Sequence, residues 1–273
     1  MDSFKDKTVV ITGGATGIGF GLAKRFGKEG AKIVIGEPRQ AQLDKALADL
    51  SALGIEASTM VMDVTDPKSM EAFADFAWDT YGGAHVLINN AGIAIGRKAI
   101  VDVPLEDLHR LMNVNFFGVW HGAATFGKRM IEQGEPAAIY NLASENAFFN
   151  AVQKSAPYIA SKHAVRGLTE AMRDEFPDFI QIGMIVPGFV ASDMTKGSEQ
   201  FAMDADTFAD KVVEQIRAGE FYVVTHSYNM VRIKPIHDAI EAAYERNAPR
   251  YDGDDEYDVP TLIAKLRSRR DGA

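Results

Sequence analysis

A glycine-rich turn, Thr12-Gly13-Gly14-Ala15-Thr16-Gly17-Ile18-Gly19, stands between a β-branched run, Thr8–Thr12, and a helical pattern, Gly17–Glu29. Its placement constrains the chain more than its letters do. Glycines allow positive φ and close backbone approach, and the helix N-terminus that follows presents unpaired N–H groups and the positive end of its dipole to an anion such as a pyrophosphate. A bare glycine run is equally well explained by tight strand-to-helix packing, but the strand–turn–helix setting favours the anion site.

From that turn onward, short apolar runs alternate with helical patterns. The spacing predicts strands at Thr8–Thr12, Lys32–Ile35, Ala57–Met62, Val86–Asn89, Ala138–Leu142, Ile180–Val186 and Phe221–Thr225, with helices between them. In the helix expected over Gln40–Leu53, Leu43, Ala46, Leu47 and Leu50 recur at helical spacing, so one stripe should face a sheet. Ile180–Val186 is almost unbroken in its apolar character. That is the pattern of a strand covered on both faces, and the fold class is therefore α/β, a doubly wound parallel sheet.

At 273 residues one large core accommodates the chain. We expect a single domain over residues 1–248, with its core at 5–226, a C-terminal helix near 230–247, and a tail at 249–273 that includes an acidic cluster at Tyr251–Asp258. Within the extension, Ile233, Ile236, Ile240 and Tyr244 fall at helical spacing, and Val259 to Leu266 offers a second apolar element. This stripe is expected to lie on protein, bracing a lid over Pro187–Phe208 or making a subunit contact.

Hydrophobic residues make up 47% and charged residues 25%, an ordinary globular balance. The net charge of −9 argues against a nucleic-acid backbone or an anionic membrane surface as partner, since both need a basic footprint. With no cysteine, the chain can build no disulfide, thiolate metal site or thiol nucleophile. The charged start, Met1 to Lys7, lacks the apolar core of a signal peptide, and no later run approaches spanning length. The expectation is a cytoplasmic protein acting on a small molecule, with no metal.

Chemistry-bearing residues cluster at strand ends. Glu37 follows the second strand, roughly 20 residues past the glycines, where a carboxylate can accept bonds from ribose hydroxyls; it favours NAD over NADP, although Arg39 softens the repulsion of a 2′-phosphate. Tyr158 and Lys162, four apart at the start of a helical pattern, share one face, so the ammonium can favour the phenolate of a group whose free pKa is about 10. Such pairs are usually only a ring packed on a lysine stem. Ser144, just past the strand Ala138–Leu142, lies where open α/β sheets bind ligands.

These residues together resemble the short-chain dehydrogenase/reductase family of the single-domain, Rossmann-fold type over about residues 5–226. Thr12–Gly19 is similar to its TGxxxGxG turn, Asp63-Val64 to its adenine-contacting pair, Asn89-Asn90-Ala91-Gly92 to its NNAG segment, Tyr158–Lys162 to its YxxxK motif and Pro187-Gly188 to its post-strand PG. The resemblance implies catalytic Asn115, Ser144, Tyr158 and Lys162. It also implies coenzyme contacts from Gly13, Thr16, Gly17, Ile18, Gly19, Glu37, Asp63, Val64, Asn90, Ala91, Gly92, Tyr158, Lys162, Pro187, Gly188, Val190 and Ser192. A threonine commonly stands where this chain has Ser192, and the stretch from Ser144 to Tyr158 is slightly longer than the family's.

By the same resemblance, the expected enzyme interconverts an alcohol and a ketone with NAD: Tyr158 takes the alcohol proton, Ser144 holds the oxygen, Lys162 binds the nicotinamide ribose, and Asn115 steadies a relay water. Asn146, Phe148, Phe149, Phe189 and Met194 are candidates for an apolar substrate pocket suited to a bulky aryl, alicyclic or steroid-like molecule. A homodimer or homotetramer is expected. Two other readings stand beside it: an NADPH-dependent 3-oxoacyl-type carbonyl reductase, and a nucleotide-binding regulatory protein that shares the fold without the chemistry.

Overall fold

A computed structural model describes residues 3–271. Met1 and Asp2 of the charged start, and Gly272 and Ala273 at the end of the anticipated tail, lie outside the described residues.

Seven parallel strands form one sheet in the order β3-β2-β1-β4-β5-β6-β7. They are β1 (Thr8–Thr12), β2 (Lys32–Glu37), β3 (Ala57–Val61), β4 (Val86–Asn89), β5 (Ala137–Leu142), β6 (Ile180–Val186) and β7 (Tyr222–Val224). Between them run α1 (Gly17–Lys28), α2 (Gln40–Ala52), α3 (Pro67–Tyr81), α4 (Leu105–Met112), α5 (Gly118–Gln133), α6 (Ala156–Glu175) and α7 (Ala205–Ala218). The doubly wound fold expected from the sequence is the one observed. Strand order reverses between β1 and β4, which are hydrogen-bonded neighbours, and the crevice outside their C-terminal ends is where such sheets bind ligands.

Alternation along each strand explains why both faces need helices. Val9, Ile11, Ile33, Ile35, Val86 and Ile88 enter one core with Leu22, Phe26, Leu43, Leu50, Phe208 and Val212 from α1, α2 and α7. Their neighbours Val10, Val34, Leu87 and Ile139 enter a second core with Met70, Phe73, Phe126 and Met130 from α3 and α5. Each fully buried large side chain of this kind contributes roughly 1.5–3 kcal/mol. The α2 stripe is narrower than expected: Leu43, Ala46 and Leu50 are buried, but Leu47 lies at the rim, 36% exposed. Helix ends are locally encoded. The Asp66 carboxylate accepts from Lys68 N–H at 3.0 Å to cap α3, and Gly82, at φ +80°, closes it.

The chain divides into two compact units, Met1–Asn229 and Met230–Ala273. α8 (Asn229–Asn247) has no buried residue, and Ile236, Ile240 and Tyr244 of its apolar stripe are exposed. In the anticipated tail, Arg250 pairs with Asp254 of the acidic cluster, and Asp258 accepts from Thr261 N–H at 2.9 Å at the start of a further helix, α9 (Val259–Asp271). Among the described residues no helix is long and apolar enough to cross a membrane.

Candidate active site

The glycine turn is held from two sides. Gly13 has φ +62°, and a Cβ there would come 2.9 Å from Ala91 Cα; at Gly19 a Cβ would come 2.5 Å from Asn90 Nδ2. Side chains larger than hydrogen therefore have no room at either position. Asn90 donates from Nδ2 to the carbonyls of Thr12 (3.0 Å) and Gly13 (2.9 Å), while Thr12 Oγ1 accepts from the N–H groups of Asn90 and Ala91, both at 3.1 Å. The NNAG segment thus acts on the turn itself. Thr16 is the extended N-cap of α1 and makes no side-chain capping bond among the described residues, and Ile18 packs at the edge of the first core. This cradle fits a dinucleotide pyrophosphate.

Further along the crevice, Glu37 is 4% exposed at the end of β2, and its Oε1 accepts from Arg39 Nε at 2.5 Å. A solvated carboxylate at a strand end is thereby excluded. Asp63 Oδ1 accepts from the backbone and hydroxyl of Thr65, both at 2.9 Å, which fixes the turn carrying Val64. Val64 is buried, and its carbonyl is hydrogen-bonded to the His121 ring at 2.9 Å.

The end of β5 and the start of α6 bring the reacting set together. Ser144 Oγ accepts from the backbone N–H and the Nδ2 of Asn146, at 3.2 and 3.3 Å. With both acceptor positions used, its own proton is free for the Tyr158 hydroxyl. Burial pushes the Tyr158 phenol above its ordinary value, the Ser144 hydrogen bond pulls it back, and the charge of Glu145 raises it further. Lys162 lies 5.6 Å from the Tyr158 ring centroid and donates to the Leu142 carbonyl at 2.8 Å. Burial without an acidic partner pulls its pKa down to about 8. The Ser144 hydrogen bond is the contact that lowers the Tyr158 pKa here, and the Lys162 ammonium stands over the same ring.

Asn115 sits in a π-helical turn, Asn113–Phe117, between α4 and α5, fully buried. It exchanges bonds with the Ile93 backbone, accepting at 2.8 Å and donating at 3.0 Å, and donates to Ser161 Oγ at 3.3 Å. Both amide protons are engaged, so only an oxygen of this residue is left for a water. A Cβ on Gly92 would lie 3.5 Å from Asn115 Oδ1 and 3.9 Å from Lys162 Nζ, so these three residues converge.

The anticipated substrate wall divides. Asn146 is buried, its Oδ1 accepting from Ala151 N–H at 3.1 Å, and it orients Ser144. Phe148 places its ring under the Arg166 guanidinium, 4.5 Å away, and 6.1 Å from Tyr222. Phe149 is partly exposed. Phe189 and Met194 are 43% and 51% exposed in the segment after β6, free to meet a ligand. The same segment carries Pro187, Gly188, buried Val190 and Ser192. Gly188 N–H donates to His226 Nδ1 at 3.1 Å, and a Cβ on Gly188 would meet both the His226 ring and Glu145 Oε2. Sequence reasoning missed the Asn146 bonds to Ser144, and missed Glu145, Ser161, Asp193 and His226. None sits in a local pattern that marks chemistry.

A doubly wound sheet with a glycine cradle after its first strand and a Ser–Tyr–Lys set at the fifth defines a dinucleotide-dependent oxidoreductase fold and site. The chain belongs to the short chain dehydrogenase family, whose pattern matches residues 7–202. It is 31% identical over 236 residues to the 1-deoxy-11-beta-hydroxypentalenate dehydrogenase of Streptomyces avermitilis, covering 83% of this chain and 87% of that one. It is 34% identical over 199 residues to the C alpha-dehydrogenase of a Sphingobium species, covering 72% of this chain and 65% of that one. Among solved structures, a short chain dehydrogenase/reductase from Burkholderia phymatum in complex with NAD superimposes with a TM-score of 0.84 at 27% identity, covering 92% of this chain and 99% of that one.

Proposed function

We propose that the protein is an NAD(H)-dependent oxidoreductase that interconverts a secondary alcohol and a ketone on a bulky hydrophobic substrate of the aryl, alicyclic or steroid-like kind. The observation that carries the reading is the meeting of Ser144, Tyr158 and Lys162 at the C-terminal end of β5, above the glycine cradle. A protein that only bound nucleotide would have no use for the three together.

Bound nicotinamide supplies the hydride acceptor or donor. In the oxidative direction Tyr158 accepts the alcohol proton. The one Ser144 proton, which meets the Tyr158 hydroxyl before substrate arrives, turns to the substrate oxygen, and Asn146 keeps the serine oriented through two N–H bonds. Lys162, with its ammonium on the Leu142 carbonyl, is in place to bind a ribose hydroxyl. Buried Glu37 favours a free ribose over a 2′-phosphate, since a like charge beside it would be repelled. Exposed Phe189, Met194 and Phe201 support an apolar substrate, as do the two relatives, a hydroxypentalenate dehydrogenase and a C alpha-dehydrogenase. A cytoplasmic homodimer or homotetramer completes the proposal, its assembly supported by exposed Phe117 and Trp120 near the start of α5.

The deciding experiment incubates the protein with a panel of small and bulky secondary alcohols and either NAD or NADP, following formation of the reduced nicotinamide. Turnover of bulky alcohols with NAD is expected. Turnover with NADP alone, or with small alcohols alone, would overturn the corresponding half of the reading.

A further inference from the structure

The segment after β6 meets the turn before α1 through a single carboxylate. Asp193 accepts from Thr16 Oγ1 at 3.3 Å and lies 3.4 Å from Arg39 Nη1. Arg39 in turn reaches Glu37, so a chain of charges, Glu37–Arg39–Asp193, runs from the end of β2 to the substrate-side segment. Beside it, a Cβ on Gly17 would come 3.0 Å from Ser192 Cβ, which shows how closely the two backbones approach.

Asp193 is held in that position by its own loop. Thr195 Oγ1 accepts from Ser192 N–H at 2.9 Å and reaches the carbonyls of Ser192 and Val190, at 3.1 and 3.2 Å. Backbone bonds between Ala191 and Met203 and between Met203 and Phe189, each 2.9 Å, close the base of the segment. A carboxylate is thereby presented to the N-cap hydroxyl of α1, at the positive end of a helix dipole. Any dinucleotide phosphate arriving at this turn is an anion that needs the same partners.

We infer that Asp193 is an affinity-determining residue for the coenzyme, an internal anion that holds Thr16 and Arg39 and must yield both when a dinucleotide binds. The inference rests on the coenzyme site proposed above but not on the choice between NAD and NADP, because both carry the pyrophosphate. Asp193 and Arg39 are both well exposed, 65% and 51% by side chain, so the contacts are individually weak and the effect is modest. For NADP the effect is larger, since Arg39 is the nearby cation for a 2′-phosphate.

Calorimetric titration of NADH and of NADPH into the wild type, Asp193→Asn and Asp193→Ala tests it, with thermal unfolding recorded for each variant. Both substitutions are expected to tighten NADH binding about 3–10-fold, to tighten NADPH binding more, and to lose the difference in high salt, which screens exposed charges. Weaker binding by folded variants would overturn the inference and make Asp193 a strap that helps hold the coenzyme; unchanged binding would overturn it by removing Asp193 from coenzyme affinity. If the wild type and both variants bound neither coenzyme, the site reading itself would fall, and the inference with it.

Discussion

Lys162 sits over the ring of Tyr158, 5.6 Å from its centroid, with one of its ammonium protons on the Leu142 carbonyl. The hydroxyl of Tyr158 is served by Ser144 instead. Two residues four apart on α6 are thus given separate tasks by the end of β5, one polar atom of which meets each.

Tyr158→Phe removes only the hydroxyl. Turnover is expected to fall about 10²–10⁴-fold while coenzyme affinity stays within a few-fold of wild type. Steady-state rates and a coenzyme titration check it, and retention of more than about a tenth of the wild-type rate contradicts the role of Tyr158.

Lys162 is buried, and its pKa is lowered from 10.5 to about 8. A lowered folded-state pKa means the fold prefers the neutral amine. Its contribution is present above the unfolded value and is lost as pH falls through the folded value, between about pH 10.5 and 8. Near neutrality the buried ammonium costs about 3 kcal/mol. Lys162→Met should therefore abolish turnover yet raise the melting temperature at pH 7 by a few degrees without added coenzyme. A lower melting temperature would show that the hydrogen bond outweighs desolvation.

Glu37, buried at the end of β2, holds Arg39. Glu37→Ala removes a repelling carboxylate and frees a guanidinium, so kcat/KM with NADP should rise about tenfold or more while that with NAD falls. Comparing kcat/KM for both coenzymes in the wild type and variant decides it; an unchanged ratio would remove Glu37 from coenzyme selection.

Burial raises the pKa of Glu145, with the Asn229 side chain pulling the other way, and the Glu145 charge in turn raises Tyr158. A raised folded-state carboxyl contributes stability below its unfolded pKa, and that contribution is lost as pH rises through the folded value. Glu145→Gln should remove this dependence from melting curves recorded as pH rises from the ordinary carboxyl range. With its charge gone, the Tyr158 phenol is lowered, so the alkaline rise of the oxidation rate moves to lower pH. A shift to higher pH, or none, would separate Glu145 from Tyr158.

Local sequence determined the elements and their order. A period of two in Val9–Ile11 and Ile33–Ile35, and a period near 3.6 in Leu43, Ala46 and Leu50, are properties of neighbouring residues, and each period suits one kind of backbone. The glycine turn was legible for the same reason, since positive φ at Gly13 and crowding at Gly19 are demands on single positions. Tyr158 and Lys162 were legible because one helix carries both. Partners distant in sequence were decided only by the tertiary structure. Asp193 meets Thr16 and Arg39 across 177 and 154 residues, and no local period records such a meeting. The sheet decides it, because parallel strands set side by side bring all their C-terminal loops to one edge. There the hydrogen-bonding capacity of each side chain is divided among whatever neighbours arrive, which is why Asn146 serves Ser144, Asn115 serves Ile93, and Lys162 serves Leu142.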